Sequence, residues 1–427
     1  MSTIKEQVII NNNDVIYLDN NATTFMPKKV QLTMCNLFNM GNPSGEYKTA
    51  KKCKEIIQTF KEEFARVCNF SLEEYYVIFN SGASESNCHI LTSTARAYKF
   101  STGQIPHFIV SSVEHKSIYY CVKDLEKMGE IELSFIPAHF RTITPDELRS
   151  LIRTNTALVS IMSANNETGI INDLASLKSV CNDIPFHTDA VQYMGKLHFD
   201  VQLKKVDAFS VSCHKFHGPI GCGILVMKKS LVEGYKMCAH VCGTQNEHQR
   251  GGTENIIAIG GSLSAFRIVM NNLDSKAKYV NDMRQNIVNT LSTTFKCVFI
   301  EDFQLEMANS VNITDMPLIV WIAPRDFHNT LPNTILLSVY KPNICNKAMR
   351  NGLEHYNIIV GLGSACNNNA DKDKNIVLNA LNVPEILNDG ILRISLSDMN
   401  KPEEIAKFLP IFTDLIKSNK ILKSSTI

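Results

Sequence analysis

Short apolar runs, each ending in a polar or small-residue loop, recur through the first two thirds of the chain. Tyr75-Tyr76-Val77-Ile78-Phe79 runs into Asn80-Ser81-Gly82-Ala83-Ser84-Glu85, a turn that becomes a helix start. His107-Phe108-Ile109-Val110-Ser111 leads to Glu114-His115-Lys116, and Ala157 to Met162 leads to Asn165-Asn166-Glu167-Thr168-Gly169. Asp207 to Ser212 delivers His214 and Lys215 into the small-residue loop His217-Gly218-Pro219. Strands alternating with helical stretches in this way predict an α/β fold, an open sheet with its site at the carboxyl ends of the strands.

At 427 residues the chain exceeds a single core of ordinary size, so two domains are expected. From Ala265 a long helical stretch through Val269, Leu273 and Met283 reads as a connector. Beyond it Ser310–Ile313, Thr334–Val339 and Leu392–Leu396 read as strands mixed with helices. The division predicted is a large domain over 27–270 and a smaller α+β domain from 1–26 and 271–427. Asn367 to Lys374 is a polar, disorder-prone run, and no internal repeat is present.

Composition narrows the function class. With 44% hydrophobic residues, 20% charged residues and a net charge of +1, neither nucleic acid nor an anionic membrane is expected as partner. No apolar run is long enough to span a bilayer. Met1 to Gln7 carries neither an apolar signal core nor an Arg-rich import helix, which predicts a cytoplasmic protein. Thirteen cysteines then read as free thiols in a reducing compartment, with Cys35, Cys53, Cys68, Cys88 and Cys121 as small core residues. Cys238-Ala239-His240-Val241-Cys242 lacks a second ligand pair at zinc-site spacing, so no metal is expected.

The strand ends carry the chemistry. Lys215 follows one strand, and Asp189 of His187-Thr188-Asp189-Ala190-Val191-Gln192 ends a neighbouring one. This pair suits pyridoxal 5'-phosphate: the amine links to the cofactor aldehyde, and the carboxylate keeps the pyridine nitrogen protonated. Ala83 and Ser84 sit at a helix start, whose free N–H groups favour a phosphate. His115 could stack on the ring and relay protons, while Asn166 and Gln192 are amide donors able to hold the phenolic oxygen. Arg393, mid-strand, needs an anion, and a substrate carboxylate gives the bidentate match. Cys366 stands in the glycine-flanked polar loop Gly361-Leu362-Gly363-Ser364-Ala365-Cys366-Asn367, where a nucleophilic thiolate could reach a substrate. Taken singly, each also reads as an ordinary cap, turn, solvated lysine or exposed cysteine.

Together these segments resemble the NifS-like cysteine desulfurases of the class V aminotransferase group, over nearly the full length. The matching stretches are Tyr17 to Thr24, Gly41-Asn42-Pro43-Ser44, Ser81 to Asn87, Glu114-His115-Lys116, Asn165-Asn166-Glu167 and Asp189 to Gln192. Ser212-Cys213-His214-Lys215, Gly252-Thr253-Glu254-Asn255, Ser364-Ala365-Cys366 and Arg393 to Leu396 complete the set, in the family's order. The resemblance implies a fold-type-I enzyme, with a mainly parallel seven-stranded sheet in its large domain. It further implies a homodimer that takes sulfur from L-cysteine, leaves L-alanine and passes the sulfur to an acceptor protein. Lys215 would carry the cofactor, with Ala83, Ser84, His115, Asn166, Asp189, Gln192, Ser212 and His214 around it. Thr253 would reach the phosphate of the partner subunit's cofactor. Arg393 and Asn166 would hold the substrate carboxylate, and Cys366 would take the sulfur as a persulfide.

The chain departs from the family pattern in places. Tyr47 and Ala50 stand where a histidine and a glycine are usual, and Cys213 replaces a glycine. The glycine-rich stretch before Gly252 is eroded to Cys242-Gly243-Thr244-Gln245-Asn246-Glu247-His248. About Trp321 to Thr330 reads as an addition. The chain after Arg393 looks shorter than in housekeeping members, which use that tail to hold an iron–sulfur scaffold. A selenocysteine lyase or transaminase on the same scaffold needs Lys215 and Asp189 but not Cys366. An inactive cofactor-binding interaction protein would need none of the turnover chemistry.

Overall fold

The structure, a computed structural model, describes residues 15–308, 317–341, 344–362 and 376–418. Its strands are β1 (Ile16–Leu18), β2 (Tyr75–Asn80), β3 (His107–Ser111), β4 (Glu132–Ile136), β5 (Thr156–Ser160), β6 (Phe186–Asp189) and β7 (Ala208–Ser212). They continue with β8 (Gly223–Lys228), β9 (Lys296–Phe299), β10 (Leu318–Trp321), β11 (Thr334–Tyr340), β12 (Ile358–Val360) and β13 (Ile391–Ser395).

Seven strands form the large sheet in the order β2-β8-β7-β6-β5-β3-β4. Only β8 runs against its neighbours, so the sheet is mainly parallel, as expected. Its central strands are buried along their whole length, which is why they read as unbroken apolar runs. Successive side chains go to opposite faces. Ile109, Val159 and Phe209 join one core, and Phe108, Leu158 and Ala208 join the other. The polar residues inside these strands are partnered. His187 bridges Ser160 at 2.8 Å and Ser210 at 3.0 Å, while His107 bridges Thr156 and Ser134, both at 2.9 Å.

A four-stranded sheet, β13-β11-β10-β9, and the parallel pair β1-β12 make up the rest. A separate core gathers Leu18, Ile287, Trp321, Ile335, Ile394 and Phe412 around them. The connector is two helices, Ile256–Met270 and Leu273–Thr294, bent by 74° at a break where Asn272 is left-handed. Helical periodicity continues across Asn271-Asn272, and the sequence therefore reads as one rod. Among the described residues no single helix is long and apolar enough to cross a membrane.

One other expectation is corrected. Cys35 is exposed at the end of its helix rather than in the core. In the stretch from Trp321 to Thr330, Trp321 closes β10 and the residues after it belong to the β10–β11 connection. That connection ties the two sheets' units together, because Ile171 N–H donates to Asn329 O and Leu331 N–H to Gly169 O, both at 2.8 Å. Ser310–Ile313 lies outside the described residues.

The departures have structural counterparts. Tyr47 fills the turn of Gly41-Asn42-Pro43-Ser44: Asn42 N–H donates to its hydroxyl at 2.8 Å, and a Cβ on Gly41 would fall 2.5 Å from that oxygen. In the eroded stretch Asn246, Glu247 and His248 all have positive φ, at 48°, 55° and 64°. Side chains in that region cost roughly 1–2 kcal/mol each, which glycines would avoid. Asn246 offsets part of this cost: its Oδ1 accepts the N–H of Phe79 on edge strand β2 at 3.0 Å, and its Nδ2 donates to Arg250 O at 3.1 Å. Asn246→Ala loses both bonds and the asparagine tolerance of positive φ. It should lower unfolding free energy by about 2–3 kcal/mol, read as a lower urea midpoint. An unchanged midpoint would show that the edge needs no cap there.

Candidate active site

The carboxyl ends of β2, β3, β5, β6 and β7 open into one cavity of about 530 Å³. Ala83, Ser84, His115, Asn166, Asp189, Gln192, Ser212, His214, Lys215 and Arg393 all line it. All but Arg393 come from the carboxyl ends of strands of the large sheet or the turns after them, so residues far apart in the sequence converge at one sheet end. Thr253 is exposed and does not line the cavity of its own chain. Cys366 lies outside the described residues, as does the run Asn367–Lys374.

Lys215 leaves the short turn after β7, and its ammonium donates to Asn21 O at 2.6 Å and Ala22 O at 2.7 Å. Burial, helped by the Arg393 cation and opposed by Asp189 and Asp19, lowers its pKa to about 8. A lysine so shifted yields a neutral, nucleophilic amine near physiological pH. Asp189 is held on both oxygens. Val191 N–H donates to Oδ1 and Asn87 Nδ2 to Oδ2, each at 2.9 Å. These bonds fix the carboxylate plane and leave lone pairs for a protonated ring nitrogen.

His115 caps the helix Lys116–Lys127, with its Nδ1 accepting the Ser117 N–H at 3.2 Å. The neutral imidazole therefore carries its proton on Nε2. Desolvation by the cavity walls holds its pKa below the ordinary value, with Asp189 opposing and Lys215 adding to the effect. His214 is pushed down to about 4 by burial and by Lys215, and its Nδ1 lies 3.0 Å from Thr23 Oγ1. At the other end of the cavity the helix Ala83–Thr102 starts without any side-chain cap. The Ala83 and Ser84 N–H groups are available to an anion, with the Ser84 hydroxyl beside them.

Arg393 reaches in from β13. Its Nη2 donates to Asp19 Oδ1 at 2.8 Å and its Nη1 to Asn166 O at 3.1 Å, while the buried Nε has no partner. A second N–H on each Nη is left for a carboxylate. Gly361 exchanges two backbone bonds with Arg393, at 2.9 and 2.8 Å. A Cβ there would fall 2.6 Å from Asp19 Oδ1 and 3.2 Å from Arg393 Nε, so the close approach requires glycine. The chain then runs from Gly361 toward Cys366.

Several contributors were not singled out from sequence. Asn21 donates through Nδ2 to Thr334 Oγ1 at 2.8 Å and Asn166 O at 3.1 Å. Its Oδ1 accepts from Asn333 at 3.0 Å and Lys196 at 3.1 Å. Glu114 is fully buried, and burial pushes its pKa up to about 8, so near neutral pH it is largely protonated. Its Oε1 accepts from Ser111 Oγ at 2.5 Å and Met162 N–H at 2.7 Å, tying the end of β3 to the end of β5 and setting where His115 projects. Asn21, Asp19, Asn87 and Glu114 act through other side chains, and only their place inside a matched stretch could have flagged them.

The aminotransferase class V family model matches residues 16–318 of the chain. The chain belongs to the class V aminotransferase family. Among curated proteins it is 30% identical to cysteine desulfurase IscS of Methanosarcina thermophila, over 95% of this chain and 93% of that one. It is 28% identical to cysteine desulfurase IscS of Clostridium botulinum, over 96% of each. A solved NifS-like protein superposes with a TM-score of 0.79 at 28% identity, covering 94% of this chain and 99% of that one.

Class V aminotransferases depend on pyridoxal phosphate. The cavity fits that group: a braced carboxylate at one end, an uncapped helix start at the other, and a depressed lysine between them. Only the neutral amine attacks an aldehyde, so the rate at which the apoprotein captures pyridoxal phosphate should rise with pH around a midpoint of about 8. Stopped-flow absorbance would measure it, and a midpoint near the ordinary lysine value of about 10.4 would contradict the burial argument.

Proposed function

We propose that the protein is a cysteine desulfurase, taking sulfur from L-cysteine, releasing L-alanine and holding the sulfur as a persulfide on Cys366. End-to-end similarity to relatives of that name carries this reading, and the cavity supplies the parts it needs. When bound through Lys215, pyridoxal phosphate supplies an electron sink for the substrate carbons.

The chain's own residues do the rest. Asp189 keeps the ring nitrogen protonated, braced by Asn87 and Val191. The first turn from Ala83, with Ser84, Ser212 and neutral His214, holds the phosphate. Gln192 would face the phenolic oxygen. Arg393, with the Asn166 side chain, holds the substrate carboxylate, and Asp19 keeps the guanidinium aimed. His115, which lines the cavity, would cover the ring and move a proton at Nε2. The Cys366 thiolate attacks the substrate sulfur while the carbon–sulfur bond breaks, its electron pair going to the substrate carbon, which then takes a proton. L-cysteine plus thiol thus gives L-alanine plus persulfide, with atoms and electrons in balance.

A homodimer completes the site in this reading, with Thr253 serving the phosphate across the subunit boundary. The sulfur then passes to an acceptor protein for iron–sulfur cluster assembly or tRNA thiolation. The cytoplasm is the compartment we infer, since the described cysteines are all unbridged.

Alanine and persulfide production from L-cysteine tests the reading. Cys366→Ser should keep the cofactor colour and bind L-cysteine, yet form neither persulfide nor alanine, because serine is not ionised at neutral pH. Alanine release at the wild-type rate would favour a lyase or transaminase instead. Asp189→Asn should weaken cofactor binding by only about 1.5–3 kcal/mol while losing most turnover. Unchanged turnover would remove Asp189 from the ring nitrogen.

A further inference from the structure

Lys196, one turn beyond Gln192, has no part in the chemistry above. Its ammonium donates to Gln192 Oε1 at 2.6 Å and Asn21 Oδ1 at 3.1 Å. Burial, with Lys215 and Arg393 nearby, pushes its pKa well below the ordinary lysine value. Placing an amine there costs free energy, so its contacts must accomplish something the site uses.

They settle which way round an amide lies. A glutamine amide keeps nearly the same shape when flipped, but exchanges an acceptor oxygen for a two-hydrogen donor. Gln192 Nε2 donates to Asn21 O at 3.1 Å while Oε1 accepts from Lys196. Flipped, the amide would set oxygen against oxygen at Asn21 and would aim its N–H groups at Lys196 Nζ, which in the observed arrangement donates to both Gln192 Oε1 and Asn21 Oδ1. The observed orientation leaves the second N–H of Nε2 with no acceptor among the described residues, on a side chain that lines the cavity. Without Lys196, one of the two penalties for flipping is gone.

We propose that Lys196 is a positioning residue that locks the Gln192 amide with its free N–H toward the cavity, so that the cofactor's phenolic oxygen meets a donor rather than an acceptor. The inference rests on the cofactor reading of the cavity. A donor at that oxygen spreads its negative charge and loosens its hold on a shared proton. With the donor lost or reversed, the proton is held more tightly, and the bound cofactor's visible band titrates at higher pH.

The test is a pH titration of that band in the holoprotein. Lys196→Met and Gln192→Leu should each raise the midpoint by about one pH unit. The double variant should shift no further than Gln192→Leu alone, since Lys196 acts through the amide. Lys196→Arg, which still offers donors, should return toward wild type. Should Lys196→Met fail to fold, Lys196→Gln, with a single weaker donor, should shift the same way by less. Lower thermal stability with an unmoved midpoint would make Lys196 merely structural and overturn the proposal. A shift in Gln192→Leu without one in the Lys196 variants would overturn it too. A wild-type protein with no cofactor band would instead sink the cofactor reading itself.

Discussion

The segment Asp19–Ala22 is the constraint on which the site depends. It lies between the large sheet and the smaller unit, and several of its polar groups are satisfied by residues that line the cavity. Asn21 O takes both the Lys215 ammonium and the Gln192 amide, Ala22 O takes Lys215 again, and Asp19 takes Arg393. The Asn21 side chain joins Asn166, Thr334, Asn333 and Lys196. Groups that bear on a cofactor ring and on a substrate carboxylate are therefore referenced to one four-residue piece of backbone. A buried backbone that must pair its polar groups does so here with functional side chains, and each party positions the other.

The sheet was readable in the sequence because its central strands are buried on both faces and show as unbroken apolar runs. The strand-end residues were readable because lysine, aspartate, histidine and arginine at such places have few structural uses. The missed residues are amides and carboxyls with ordinary composition signals. Asn87 looks like any polar residue in the second turn of a helix, and Glu114 like any loop acid. Their meaning is set by partners a hundred or so positions away along the chain, or by burial, and neither is a local property. The bend at Asn271-Asn272 was hidden for a related reason: asparagine tolerates a left-handed backbone without leaving a glycine or proline to mark it.

Several buried ionisable groups also share one electrostatic logic. Lys215 and His214 are held toward their neutral forms, as is Glu114, and Lys196 is pushed the same way. Each pays a desolvation cost that the fold recovers only through specific partners. The result is a pocket whose amines and acids stand closer to neutrality than their free counterparts. That condition suits proton exchange with a bound ring more than tight ion pairing, while Asp189 is held by Asn87 and Val191 and Arg393 by Asp19 and Asn166.

The paired backbone bonds between Gly361 and Arg393 have a consequence for delivery. Cys366 lies five positions beyond Gly361, and that contour is at most about 18 Å whatever path it takes. The thiol is thus leashed at the substrate grip itself, at an effective concentration on the order of tens of millimolar. An acceptor protein must bring its own sulfur-receiving atom inside the same radius. The leash sets a limit on partner shape: a blunt surface has to dock close to the cavity mouth, while a partner with a protruding segment can receive the sulfur from farther off.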